Sequence, residues 1–258
     1  LIVDRKSVNK MKDSPVFTAQ DYLAYLKANN HLPEIMPPKL LILYYQNDVA
    51  KYVARKYSTK KVKIFGSELM LLKKFDNQIG IFGSFGAGSP STATVIDLFC
   101  AFGVENFLII GMAGGLQPNL QVGSLVLSSG SIRGEGVSRH YLPESEIVES
   151  DKKLLESLSQ SLSAKKYWHS VGITWTTDAP FREMKSEVNA YQNRNILAVD
   201  MEASAMLAVA GANQKSGLAA FSISDSLAGG EWVMPKDLSL AREGLFHLFE
   251  SALNAFGE

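Results

Sequence analysis

The residues of this 258-residue chain best suited to chemistry fall in a few short segments. Asp200-Met201-Glu202 sets two carboxylates just ahead of the helix-like run 203–214. There they either favour the positive end of the helix dipole or present acceptors to a ligand. Asp225, in Ser224-Asp225-Ser226, follows the apolar run 218–223. That is the carboxyl end of a strand, where α/β sheets hold ligands, although an Asx turn would place an aspartate there too. Two glycine-rich stretches also follow apolar runs: Gly83-Ser84-Phe85-Gly86-Ala87-Gly88 and Gly111-Met112-Ala113-Gly114-Gly115. Such turns let the backbone approach a ligand, and free amides at a helix start can receive an anion or a hydroxyl. The first is no phosphate-binding P-loop, because no Gly-Lys-Ser/Thr follows. Nor is it a dinucleotide fingerprint, because the third glycine and the distant acid are missing. His31, His140, His169 and His247 are scattered without metal-ligand spacing, so no metal is expected.

These residues need a scaffold. Residues 1–38 are mixed, contain one helical segment over 18–29 with Thr18 as cap, and end in Pro37-Pro38. From residue 39 onward, apolar runs at 40–45, 62–65, 79–85, 107–110, 125–128, 171–175, 197–199 and 218–223 alternate with helical segments. The helices fall at 48–57, 91–102, 150–163, 187–192, 203–214 and 238–256. Several runs lack polar alternation, as strands covered on both faces do. The pattern predicts an α/β single domain over 39–258, three layers α/β/α around a central mixed, largely parallel twisted sheet. Residues 1–38 read as an N-terminal extension.

Composition narrows the partners. Twenty-six basic residues balance twenty-six acidic ones, so no global field draws in nucleic acid or an anionic membrane. No run nears the roughly 20 apolar residues of a membrane span. Leu1-Ile2-Val3-Asp4-Arg5-Lys6 lacks the basic-then-apolar order of a signal peptide. The single Cys100, in an apolar helical run, reads as a small buried hydrophobe. The cytoplasm is the expected compartment.

Taken together, the motifs are more specific than any one alone. Gly111-Met112-Ala113-Gly114-Gly115-Leu116-Gln117-Pro118, then Val122-Gly123-Ser124-Leu125-Val126, resembles the nucleoside phosphorylase type I superfamily. This superfamily includes purine nucleoside and uridine phosphorylases and methylthioadenosine nucleosidases. Arg133-Gly134-Glu135-Gly136-Val137-Ser138-Arg139-His140-Tyr141 is similar to a uridine phosphorylase segment. Thr176-Thr177-Asp178-Ala179-Pro180-Phe181-Arg182-Glu183 resembles the base-side loop, and Val199-Asp200-Met201-Glu202-Ala203 the Val-Glu-Met-Glu-Ala signature. Ser222-Ile223-Ser224-Asp225 resembles the Val-Ser-Asp segment of the purine enzymes.

The resemblance implies cleavage of a nucleoside N-glycosidic bond, through a ribosyl cation-like transition state and a departing base that gains negative charge. Glu202 would grip the ribose hydroxyls, with Met201 against the sugar and Asp200 beside it. Asp225 would share a proton with purine N7, given a pKa raised by apolar neighbours such as Phe221 and Ile223. Phe181 would stack on the base or pack in the core, Arg182 and Glu183 would form a polar edge, and His140 is either a substrate contact or a surface histidine. Gly86, Gly111, Met112 and Ala113 would outline the pocket for phosphate or water, with Gly114 and Gly115 along the substrate. No cofactor is implied beyond phosphate as a co-substrate. The partner would be a small nucleoside, and the assembly a homodimer or homohexamer.

The sequence departs from the family where phosphate binds. Ile109 and Met112 stand where an arginine and a hydroxyl residue are expected, and no arginine lies between Arg55 and Arg133. The Gly-Asp-Pro-x-Arg turn after the first strand reads Tyr45-Gln46-Asn47-Asp48-Val49-Ala50. Ala113-Gly114-Gly115-Leu116 also resembles the hydrolytic nucleosidases, yet their water-activating glutamate is not evident. Water therefore stays open as the alternative nucleophile, and a non-catalytic nucleoside binder as the alternative function.

Overall fold

Five consecutive apolar residues form strand β1 (Leu40–Tyr44), buried at every position in a computed structural model that describes residues 13–257. It is flanked by parallel strands on both edges, which is why no polar alternation survives in its sequence. The chain runs α1 (Ala19–Ala28), β1, α2 (Asn47–Lys56), β2 (Thr59–Ile64), β3 (Ser67–Leu72), β4 (Ile79–Gly83), α3 (Ser89–Phe102) and β5 (Asn106–Gly115). It continues through β6 (Leu125–Gly134), β7 (Ile147–Glu149), α4 (Lys152–Ala164), β8 (His169–Thr177) and α5 (Lys185–Asn193). Then come β9 (Ala198–Asp200), α6 (Ala203–Ala212), β10 (Ser216–Ser226) and α7 (Ser239–Phe256). The signal-peptide reading of residues 1–6 and the first part of the extension lie outside the described residues.

The architecture is the three-layer mixed α/β sheet that the alternation of runs indicates. Val95, Ile96 and Phe99 of α3 and Met206 and Val209 of α6 fill one face of the sheet. Val49 and Val53 of α2, Leu158 and Leu162 of α4 and Leu245 and Leu248 of α7 fill the other. Cys100 is buried in the first of these clusters, and burial pushes its thiol up to about 12, so it packs rather than reacts.

The sheet is mixed, as expected, and its closure goes further. Parallel pairs join β4, β1, β5 and β10, while β2, β3, β7 and the β5–β9 and β6–β10 contacts are antiparallel. The strands β10, β6, β8, β9 and β5 also pair in sequence and return to β10, so that half of the sheet closes on itself.

A correction concerns the second glycine stretch. Gly111–Gly115 is not a turn but the last half of β5, paired with Phe221–Ser226 of β10. Glycine is needed there because neighbours crowd in: a Cβ on Gly114 would lie 2.8 Å from Leu227 Cδ1. The helix over 18–29 forms as expected. Thr18 Oγ1 accepts from the Asp21 amide at 3.1 Å, and Asp21 accepts in return from the Thr18 amide at 2.9 Å.

Candidate active site

A cleft of about 960 Å³ opens where β5, β9 and β10 end, the place the sheet topology favours for ligands. Asp200, Met201, Glu202, Asp225, Phe181, Gly114, Met112 and Ala113 all line it. Gly86, Gly111, Gly115, Arg182 and His140 do not. Gly111 and Gly115 are buried strand backbone, whereas Gly86, Arg182 and His140 lie exposed outside the lining. Ala87, next to Gly86, does reach the cleft.

Glu202 sits at the junction of two helix starts. It directly precedes α6, and its Oε1 accepts from the amide of Gly88, which directly precedes α3, at 2.7 Å. Gly88 has φ +87°, a conformation that glycine takes without strain. Glu202 Oε2 accepts from the Met201 amide at 3.3 Å. Burial pushes the Glu202 carboxyl up to about 7, and the charge of Asp200 adds to the rise, against the opposing amide bonds.

Asp200 serves the helix itself. Its Oδ1 accepts from the amides of Glu202 at 2.8 Å and Ala203 at 2.7 Å, and from Thr176 Oγ1 at 3.0 Å. Burial nevertheless raises it to about 6. Its Oδ2 is buried without a hydrogen-bond partner, and so is Oε1 of Gln46, another residue of the lining. Both are buried acceptor atoms closed off from solvent.

Asp225 is aimed by a bulge. The β10–β5 register shifts between Ile223 and Asp225, and such bulges re-aim side chains beside sites. Asp225 Oδ1 accepts from Ser224 Oγ at 2.6 Å, and Oδ2 accepts from Trp232 Nε1 at 2.9 Å. Phe221 and Ile223 themselves point into the core rather than the cleft.

Glu183, expected at a polar edge, and Tyr45 complete the wall. Glu183 is raised to about 7, first by burial and then by the negative charge of Asp225 and Glu187. Tyr45, whose hydroxyl lies 2.7 Å from Thr92 Oγ1, is pushed well up by burial and by Glu202. Phe181 is almost fully exposed at the rim, so it packs in no core and its ring is free at the cleft mouth.

The cleft is acidic, and among the described residues its lining contains no arginine. Arg133 is engaged elsewhere: Nε donates to Ser138 Oγ at 2.8 Å, and NH1 to the Pro143 carbonyl at 2.7 Å and Ser145 Oγ at 2.7 Å. Lys185 is the only basic residue of the lining. Among the described residues no group of three or more His, Cys, Asp or Glu could hold a metal ion, and no helix is long and apolar enough to cross a membrane.

The chain is 32% identical over 127 residues to a guanosine phosphorylase of Halorubrum lacusprofundi, a match that spans 49% of this chain and 53% of that protein. It is 26% identical over 211 residues to a DeoD-type purine nucleoside phosphorylase of Buchnera aphidicola, covering 80% of this chain and 88% of the relative. The fold superposes on the crystal structure of uridine phosphorylase from Vibrio fischeri with a TM-score of 0.72 at 18% identity, over 87% of this chain and 91% of the other. The sequence profile of the phosphorylase superfamily matches residues 47–246, which includes every carboxylate of the cleft, and this chain belongs to that superfamily.

Proposed function

We propose that this protein cleaves the N-glycosidic bond of a nucleoside, with a purine favoured over a pyrimidine. The observation that carries the reading is that Glu202, at the start of α6, and Asp225, at the end of β10, line one cleft. Breaking the bond leaves positive charge on the ribose and negative charge on the base. A buried carboxylate stabilises the first, because its hydrogen bonds to the hydroxyls strengthen as these become more acidic. A proton shared through Asp225 neutralises the second. Met201 lies against the sugar's apolar face, and the free ring of Phe181 closes on the base. The preference rests on Asp225, which suits purine N7.

Membership of the phosphorylase superfamily supports ribosyl transfer to phosphate as the first reading. A second reading, hydrolysis by water, is favoured by a specific observation. Among the described residues the cleft offers no arginine, and its carboxylates are repulsive neighbours for a dianion. Each missing charge-assisted bond to phosphate forgoes about 1.5–3 kcal/mol.

The test is release of base from inosine, adenosine and uridine, with and without phosphate. Purine release is expected to exceed uracil release; release that continues in phosphate-free buffer with free ribose as product supports the hydrolytic reading. A strict phosphate requirement with sub-millimolar KM overturns the hydrolytic reading and retains the phosphorolytic one. No cleavage of any nucleoside overturns both and leaves a binding protein.

A further inference from the structure

Asp225 already holds a ligand-like group. Trp232 donates Nε1–H to Asp225 Oδ2 at 2.9 Å, and the residue lines the mouth of the cleft. An indole is a fused five- and six-membered ring whose N–H belongs to the five-membered ring. A purine protonated at N7 presents the same group on the same kind of fused frame, whereas a pyrimidine does not.

Little else secures this residue. The segment between β10 and α7 is tied across its neck by one bridge, with Ser226 N to Val233 O at 2.9 Å and Val233 N to Ser226 O at 2.8 Å. Gly229 and Gly230 precede Trp232, with open space around both and φ +73° at Gly230. Trp232 is 67% exposed, and Val233 and Met234 beside it are exposed as well. An aromatic ring left in water but anchored by its polar edge to a half-buried carboxylate can leave without opening the core.

We propose that Trp232 is a built-in stand-in for the purine ring, occupying Asp225 Oδ2 until a purine displaces it. The proposal rests on the nucleoside reading and deepens it to fused-ring bases. It makes Trp232 a competitive, autoinhibitory contact: removing it tightens base binding and lowers KM while kcat holds. Indole itself becomes a ligand for the vacated position.

The experiment compares wild type with Trp232→Phe and Trp232→Ala by calorimetry, using adenine and indole as probes. Adenine is expected to bind Trp232→Ala about tenfold more tightly than wild type, the loss of one hydrogen bond to be broken. Indole is expected to bind Trp232→Ala, displaceably by adenine, and not wild type at the same concentration. In a Trp168→Phe background, adenine is expected to shift the emission of Trp232, and the shift is absent when Trp232 is also replaced by Phe. Equal or weaker adenine binding by Trp232→Ala, with no indole site, overturns the proposal while leaving the nucleoside reading intact. If neither protein binds adenine nor cleaves a purine nucleoside, the nucleoside reading falls and this inference falls with it. Matching thermal melts of the variants exclude misfolding as the cause.

Discussion

Glu202 is only 7% exposed and lies beside a second buried acid, so keeping it charged is costly. The sign of that cost can be worked out. Asp200 rises from 3.8 to about 6 and Glu202 from 4.5 to about 7, so the folded protein holds protons that the unfolded chain releases between about pH 4 and 7. Stability from these groups is therefore greatest at the acid end and is lost as pH rises through 7. Glu202→Gln removes one charge yet keeps an acceptor for the Gly88 amide. Its melting temperature is expected to exceed that of wild type by several degrees at pH 8, with the difference fading toward pH 4.5. If Glu202 grips the ribose, kcat/KM for a purine nucleoside is expected to fall about a hundredfold or more, the equivalent of a few kcal/mol. Near-normal turnover removes Glu202 from the mechanism, and a lower melting temperature at pH 8 contradicts the charge argument. The site thus trades stability for a carboxylate where the chemistry needs one.

At the level of elements, the start of α3 is the most demanding join, because one glycine serves both the backbone and Glu202. A Cβ on Gly88 meets only Met201 Cε, at 4.0 Å, so space permits alanine and only the φ of +87° opposes it. Gly88→Ala is expected to cost about 1–2 kcal/mol in urea unfolding. It is also expected to lower kcat/KM, because the amide that holds Glu202 shifts. An unchanged unfolding midpoint contradicts this reading. The same join shows what the sequence could disclose. The unbroken apolar runs of β1 and β4 revealed buried strands, and Asp200-Met201-Glu202 and Asp225 were legible because their segments resemble a known family. Strand β3 went unmarked, since Ser67-Glu68-Leu69-Met70-Leu71-Leu72 reads equally well as helix. The glycines of β5 signalled a turn, although they are small to make room for Leu227 and Val199. Glu183 and Trp232 gain meaning only through Asp225, 42 and 7 positions from them, which no local pattern reports. A lone tryptophan after two glycines was the one visible sign of the last.

For the molecule as a whole, the sum of charges is zero, yet the acids gather in the cleft while the N-terminal end carries aromatic surface. Helix α1 has ten residues and none of them is buried, although it packs against α3. A helix shorter than about 12–15 residues is marginal in water on its own, so its stability must come from packing. Phe17, Tyr22 and Tyr25 are exposed there, in edge-on and stacked contact with one another. Between α1 and the β2–β3 hairpin runs a groove of about 1100 Å³, lined by Phe17, Tyr22 and Leu26 on one side and Phe65, Leu98 and Tyr141 on others. A contiguous aromatic surface of this kind marks an interaction site, with Tyr and Phe the side chains that interfaces favour. We propose that a second copy of this chain covers it, giving a homodimer or a larger assembly of dimers. Light scattering at micromolar concentration is expected to report at least twice the chain mass of 28.2 kDa. Replacing Tyr22 and Tyr25 together by Asp sets charges into that surface without touching a buried residue. The variant is expected to scatter as a monomer with its circular dichroism intact. A wild-type monomer at that concentration removes the interface, and an oligomer unaffected by the double replacement places it elsewhere on the molecule.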